Sequence, residues 1–221
     1  MNIKTLYQDE IHKLKKVPQV GRDKRDYWKQ IVLLLIQRDT NFIHGNWAEF
    51  GTRNGESARI LAKHLPEKSL FYLFDSFEGL PEDWDKKDKK GSMKVESIPK
   101  FDNPRFIITK GWFEETLKPW VNDIWNQYLC DNGDKDHSFF SLFHIDCDLY
   151  SSTRTVLEAI DSLISPDTYL LLDDYCNGTD KHREHVFRAF QEFILTNSYK
   201  YRIIYRSFSG SQVTVKVEKP K

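Results

Sequence analysis

Compact apolar runs alternate with stretches in which apolar residues recur every three or four positions. The runs Trp47–Phe50, Leu70–Phe74, Arg105–Thr109, Phe139–Ile145 and Tyr169–Leu172 predict five strands. Between them, Ser57–Leu65 carries Ala58, Leu61, Ala62 and Leu65 on one helical face, and Trp120–Leu129 predicts another helix. Val156, Leu157, Ile160, Leu163 and Ile164 mark a third helical face, and Val186, Phe187, Phe190, Phe193 and Ile194 a fourth. Ahead of all these, Tyr27–Gln37 (YWKQIVLLLIQ) predicts a buried helix. Strands alternating with amphipathic helices imply an α/β fold, a doubly wound parallel sheet covered on both faces. The end of the chain breaks the rhythm. Tyr201–Tyr205 and Val213–Val217 are strand-like, and the link RSFSGSQ is too short for a crossover helix, so an antiparallel hairpin closes the sheet.

Composition narrows the class. A chain of 221 residues suits one domain. Residues 46–221 carry the alternating pattern, and residues 1–45 are expected to form a helical extension packed on the same domain. Formal net charge is zero and the pI is near 7.1, which removes the global electrostatic case for nucleic acid or an anionic membrane. The longest purely apolar run, Ile31–Ile36, is too short to span a bilayer, and MNIKTLYQDEIHKLKK lacks the apolar stretch of a signal peptide. Cys130, Cys147 and Cys176 are odd in number and not in CxxC spacing, as expected for free thiols in the cytoplasm. The charged stretch Glu82–Pro104 reads as solvated surface, although long loops in compact domains also serve as lids. DNGDKDHS (Asp131–Ser138) fails as a calcium loop, because Gly133 and Lys135 stand where ligands are needed.

Ligands in open α/β sheets bind outside the carboxyl ends of the strands, so the strand ends carry the chemistry. The first ends in AEFGTRNGES, where Gly51 and Gly55 permit a tight turn and close backbone approach. It matches neither a Walker A loop nor GxGxxG, which disfavours a nicotinamide cofactor. Glu49, buried in strand context, needs a partner, and a ligand's ammonium group would provide one. The second strand ends in LFDSFEGLP. Asp75 stands about two dozen residues past the glycine turn, close to the spacing of a ribose-binding carboxylate, and Phe77 could lie against an adenine. Alternatively, Asp75 and Ser76 only cap a turn. The third strand leads to Gly111–Trp112, a close approach beside a flat aromatic face. The fourth ends with Asp146 and Asp148, the fifth with Asp173 and Asp174. Four carboxylates in one region require a compensating cation or raised pKa values, and an all-oxygen set suits Mg²⁺, Ca²⁺ or Mn²⁺. Helix capping by Asp148, Ser151 and Ser152 is the plainer alternative.

Taken in order, Glu49-Phe-Gly51…Gly55, Asp75-Ser-Phe-Glu-Gly-Leu-Pro81, Gly111-Trp-Phe113, Asp146-Cys-Asp148-Leu-Tyr-Ser-Ser-Thr153 and Asp173-Asp-Tyr175 resemble the macrocin O-methyltransferase family over about Trp47–Phe193. The closing hairpin agrees, being the ending of the class I methyltransferase (Rossmann-like) sheet. The resemblance implies S-adenosylmethionine as methyl donor and Mg²⁺-dependent (or Mn²⁺-dependent) transfer to a sugar hydroxyl. It implies a donor site of Glu49, Gly51, Arg53, Gly55, Asp75, Ser76, Phe77, Gly111 and Trp112. A metal would be held by Asp146 or Asp148 with Asp173 and Asp174. The turn TRNGES departs from the Trp/Arg-Gly-Gly version of the antibiotic enzymes. Leu149 stands where the more distant catechol enzymes have a lysine base. His182 and His185, just past Asp174, are then the best-placed general bases, with Asp148 the alternative, and His144 reads as a core histidine. The expected partner is a small-molecule or glycan acceptor bearing hydroxyls, without nucleic acid or membrane insertion; a homo-oligomer is left open. A competing reading is a metal-dependent glycosyltransferase, for which FHIDCD would be the DxD motif of nucleotide-sugar binding. It leaves Glu49–Gly55, Asp75 and Asp173–Asp174 unexplained.

Overall fold

The computed structural model describes residues 2–130, 140–176 and 178–220. The run Asp131–Ser138 and the first residue of the predicted fourth strand, Phe139, lie outside the described residues. Seven strands form one sheet: β1 (Asn46–Phe50), β2 (Phe71–Asp75), β3 (Phe106–Lys110), β4 (Phe140–Ile145), β5 (Tyr169–Leu172), β6 (Lys200–Arg206) and β7 (Val213–Glu218). Their spatial order is β3-β2-β1-β4-β5-β7-β6. Strands β1 to β5 pair in parallel, and β7 runs antiparallel to both β5 and β6. This is the doubly wound sheet with a terminal hairpin that the apolar pattern predicts. Strand order reverses between β1 and β4, which opens a crevice at their carboxyl ends.

Alternate residues of the central strands enter opposite cores, as the period of two demands, apart from an irregularity between Phe140 and Leu142 at the start of β4. Ala48, Phe50, Tyr72, Phe74, Phe140 and Phe143 face a layer made by α1 (Ile3–Leu14), α4 (Phe113–Cys130), α5 (Tyr150–Ile160) and α7 (Arg188–Thr196). Trp47, Phe71, Leu73, Leu142 and Leu171 face α2 (Lys24–Arg38) and α3 (Glu56–Leu61). Aromatic rings fill the first core: Phe50 and Phe74 stack at 5.4 Å, and Trp120 meets Phe74 edge-on at 4.7 Å.

Two helices depart from their predicted limits. Helix α4 begins at Phe113, seven residues before the expected Trp120, and runs through Pro119. Leu117, Trp120, Val121 and Ile124 form one buried stripe across the exposed proline, so packing outweighs the lost hydrogen bond. Helix α3 is shorter than Ser57–Leu65, because the chain tightens into a 3₁₀ turn at Ala62–His64. Between α6 (Asp180–His182) and α7 lies a π-helical turn, Arg183–Phe187, within the apolar stripe read as one helix.

The N-terminal segment is sewn to the sheet by polar bonds. Arg206 Nε donates to the Leu14 carbonyl at 2.7 Å, and the Val20 N–H donates to the Arg206 carbonyl at 2.8 Å. Glu10 of α1 is buried, and one of its oxygens accepts from the hydroxyls of Tyr175 (2.8 Å) and Tyr201 (2.9 Å). Glu10→Ala leaves both buried hydroxyls without that acceptor and is expected to cost about 1–3 kcal/mol in urea unfolding. Glu10→Gln keeps an accepting oxygen, and its loss should be clearly smaller in the same measurement.

Candidate functional site

The carboxyl ends of β2, β1, β4 and β5 open into a cavity of about 580 Å³, within the range of small-molecule sites. The turn after β1 forms one wall. Gly51, at φ +98°, donates its N–H to the Phe74 carbonyl at 2.9 Å, and a Cβ on it would collide with the Asp146 carbonyl. The glycine is therefore demanded by the neighbouring β4 terminus before any ligand is considered. Asp75 closes this end: one oxygen accepts from the Arg53 N–H at 2.7 Å, the other from the Phe77 N–H at 2.6 Å. Burial raises its pKa above the ordinary carboxylate value against the pull of these two bonds. Asp75 lines the cavity with Ser76, Gly111, Trp112 and Phe113.

The acidic end follows from register. Glu49 of β1 lies opposite His144 of β4, which lies opposite Leu171 of β5. Period-two alternation carries Glu49, His144, Asp146 and Asp173 toward the α2 face. His144 Nδ1 is 2.8 Å from Glu49 Oε2, and its Nε2 is 3.5 Å from Asp173 Oδ2, all three side chains being fully buried. Burial opposes the imidazolium, but hydrogen bonds to Asp173 and Glu49 prevail and lift His144 to about 10. The first residue of α2, Lys24, reaches in from the same side. Its Nζ stands 3.1 Å from Asp146 Oδ2 and 3.1 Å from Asp173 Oδ2. Despite burial, the charges of Lys24 and His144 depress Asp173 to about 2, and Gln212 Nε2 donates to its other oxygen at 2.5 Å.

Asp148 and Asp174 point elsewhere. Both have left-handed backbones, φ +61° and +50°, which turn them out of the strand direction and onto the cavity wall. Carboxylate oxygens of Asp146, Asp148 and Asp174 lie within 4.8 Å of one another, and His144, Asp146 and Asp173 form a second group as close. Burial, then mutual repulsion, raises Asp146, Asp148 and Asp174 above the usual carboxylate range. Three crowded carboxylates offer hard oxygen donors that fit a divalent cation such as Mg²⁺ or Mn²⁺.

The residues expected to bind ligands divide accordingly. Gly51, Arg53, Asp75, Ser76, Gly111, Trp112, Asp146, Asp148 and Asp174 line the cavity. Glu49 does not: it is fully buried, and its partner is the His144 imidazole rather than a ligand's ammonium. Gly55 turns at φ +76° behind the wall, against Phe101. Phe77 is buried away from the cavity, which leaves Trp112 and Phe113 as the flat apolar surfaces there. Asp173 lies beneath the floor, held by Lys24, His144 and Gln212. His182 and His185 are also off the wall. His182 Nε2 is 3.4 Å from Asp174 Oδ1, and His185 Nδ1 accepts the Tyr150 N–H at the start of α5 (3.1 Å). Burial lowers both imidazoles. Of the three expected bases, Asp148 alone lines the cavity.

Sequence reasoning missed Lys24, Trp28 and Trp84. The helix read as buried from Tyr27 starts at Lys24, capped by Asp23, which accepts the Asp26 N–H at 2.9 Å. The charged loop is not plain surface: Leu80 and Trp84 pack with Leu149, and Lys181 Nζ sits 3.2 Å from the Trp84 ring centroid while pairing with Asp85 and Asp88.

A family model described as a methyltransferase domain matches residues 48–175, more than half of the chain. The chain belongs to that family, and its strand order and cavity are those of a class I, S-adenosylmethionine-dependent methyltransferase. Among solved structures, the O-methyltransferase NovP superposes with a TM-score of 0.62 at 17 % identity, covering 90 % of this chain and 80 % of its own. The calicheamicin methyltransferase CalS11 gives 0.60 at 17 %, with 85 % and 78 % covered. An O-methyltransferase from Bacillus cereus, solved with SAH, gives 0.52 at 13 %, with 99 % and 90 % covered. No curated protein sequence matches the chain. Among the described residues, no helix is long and apolar enough to cross a membrane.

Gly51→Ala tests the turn. It forces a side chain into a left-handed backbone, worth about 1–3 kcal/mol, and into the Asp146 carbonyl. Thermal melting should show a lower Tm, and calorimetric titration with S-adenosylhomocysteine should show weaker binding than wild type.

Proposed function

We propose that the protein transfers a methyl group from S-adenosylmethionine to a hydroxyl of a sugar or glycosylated small molecule, with a divalent cation held by the aspartate cluster. The observation that carries this reading is the polarity of one cavity. The Asp75 carboxylate stands beside an aromatic wall at one end, and three crowded carboxylates stand at the other. When bound, S-adenosylmethionine supplies an electrophilic methyl group, and Mg²⁺ or Mn²⁺ supplies Lewis acidity toward the acceptor hydroxyl.

The chain's own residues do the rest. Asp75 accepts the two ribose hydroxyls, and Trp112 offers its face to the adenine. Asp146, Asp148 and Asp174 gather the cation and orient the acceptor, and alignment of its oxygen with the methyl carbon contributes several kcal/mol. Asp148 takes the hydroxyl proton. Of the three candidate bases it is the one on the cavity wall. Leu80, Pro81, Trp84 and Met93 supply an apolar wall that limits water at the reacting end. Support for a sugar acceptor comes from CalS11, described as a TDP-rhamnose 3′-O-methyltransferase. The glycosyltransferase reading has no account of the family match or the donor end of the cavity.

Calorimetric titration and labelled-methyl transfer test the proposal. S-adenosylmethionine should bind without any nucleotide sugar, and Asp75→Ala should weaken it by roughly tenfold or more. Asp174→Asn should reduce transfer to sugar hydroxyls by at least about a hundredfold while donor affinity changes only a few fold. Binding of UDP- or GDP-sugars with no response to S-adenosylmethionine would overturn the assignment. Full activity after chelation of divalent ions would remove the metal from it.

A further inference from the structure

The turn after β1 is held from behind by a side chain that does not line the cavity. Arg59 of α3 is exposed, and its hydrogen-bond partners are main-chain carbonyls rather than carboxylates. One guanidinium nitrogen donates to the Asn54 carbonyl at 2.7 Å and another to the Lys100 carbonyl at 3.2 Å. The group also lies 4.7 Å from the centroid of the Phe101 ring, which stacks on Phe106 of β3 at 4.4 Å. Residues 99–101, the last part of the charged loop, are thereby strapped onto the turn. Gly55 makes room for the strap: a Cβ there would stand 2.7 Å from the Phe101 ring and 3.0 Å from the guanidinium.

The strap fixes the peptide between Asn54 and Gly55. Its carbonyl is taken by Arg59 and its N–H donates to the Thr52 carbonyl at 2.7 Å, so the planar unit is pinned from both sides. The same turn aims the Arg53 N–H at Asp75, 2.7 Å away. Asp75 is thus oriented through contacts that begin outside the cavity. A guanidinium suits this task better than an ammonium, because its planar fork can serve two carbonyls while stacking on a ring.

Building on the donor placement above, we propose that Arg59 is a positioning residue for S-adenosylmethionine: it holds the turn at residues 52–55 in the shape that sets Asp75 for the ribose. It does so without touching the donor.

The test is calorimetric titration with S-adenosylhomocysteine, with thermal melting of each variant as a check on folding. Arg59→Met keeps an apolar stem on Phe101 but loses both donors, and should weaken binding roughly tenfold. Arg59→Lys keeps the charge without the fork and should fall between Arg59→Met and wild type. Hydrogen exchange of the Arg53 and Gly55 amides should rise about tenfold in Arg59→Met, with the amides of β1 unchanged. The decisive readout is the double variant Arg59→Met/Asp75→Ala. Because the arginine acts through Asp75, its effect on affinity should largely vanish once that carboxylate is gone, which a merely structural role would not produce. Additive losses, or wild-type affinity in both Arg59 variants, overturn the inference and leave the donor site standing. Undiminished binding by Asp75→Ala removes the ribose contact and the inference with it. Wild-type protein that fails to bind S-adenosylhomocysteine overturns the donor reading itself, and the inference falls too.

Discussion

The pairing of Lys24 with Asp146 and Asp173 is the interaction around which the functional end of this molecule is arranged. Parallel strands β1, β4 and β5 deliver Glu49, Asp146 and Asp173 to one patch on the α2 face, and low-dielectric surroundings make that concentration of negative charge costly. His144 relieves it from within the sheet, and Lys24 from the helix laid across it. Lys24 is partly exposed while its carboxylate partners are largely buried, so these contacts restrict where α2 can lie without carrying the full cost of a buried ion pair. The aromatic edge of Trp28 against His144, with ring centroids 5.8 Å apart, and the Tyr27–Thr214 hydroxyl contact at 2.6 Å hold the helix in that place.

The opposite end of the cavity is governed by backbone rather than by charge. Ladder hydrogen bonds continue past the strand ends: Gly51 to Phe74, Asp146 to Phe50 and Asp173 to Ile145, each at 2.9 Å. These bonds bring the turn after β1 against the end of β4 so closely that only glycine fits at Gly51. The same turn presents the Arg53 N–H to Asp75, so the strand ends position one another before a ligand enters. A site built this way is preorganised, because its polar groups are already oriented by main-chain bonds.

The sheet was legible because its signals are local. Five compact apolar runs and a hairpin with a short link fix the strands, and the glycines and aspartates at their ends mark the crevice. What escaped prediction depends on pairs distant in sequence. Glu49 and His144 are 95 positions apart, and Lys24 and Asp146 are 122 apart. The need for a cation was evident from the four aspartates, but nothing local singles out Lys24 among 33 lysines and arginines. Of the two histidines, His182 lies 3.4 Å from Asp174, whereas the π-helical turn Arg183–Phe187 and the start of α5 direct His185 to the Tyr150 N–H. The expected start of α4 at Trp120 came seven residues late, because the buried stripe continues across Pro119 to Leu117.

The charged loop is tied to the aspartate end of the cavity. Asp85 organises the loop internally by accepting the N–H groups of Lys87 at 2.7 Å and Asp88 at 2.8 Å. Lys181, seven residues past Asp174, then clamps the loop through Asp85, Asp88 and the Trp84 face, and Ser151 of α5 donates to Glu82 at 2.6 Å. This wall of the cavity is therefore anchored to the segments that follow β4 and β5, the strands whose ends carry the aspartates. Substitutions on the cavity side of this loop can reshape the cavity while those anchors hold its distance from Asp148 and Asp174. Changes to Lys181 or Asp85 would instead move the whole wall, because they sever its attachment to the aspartate end.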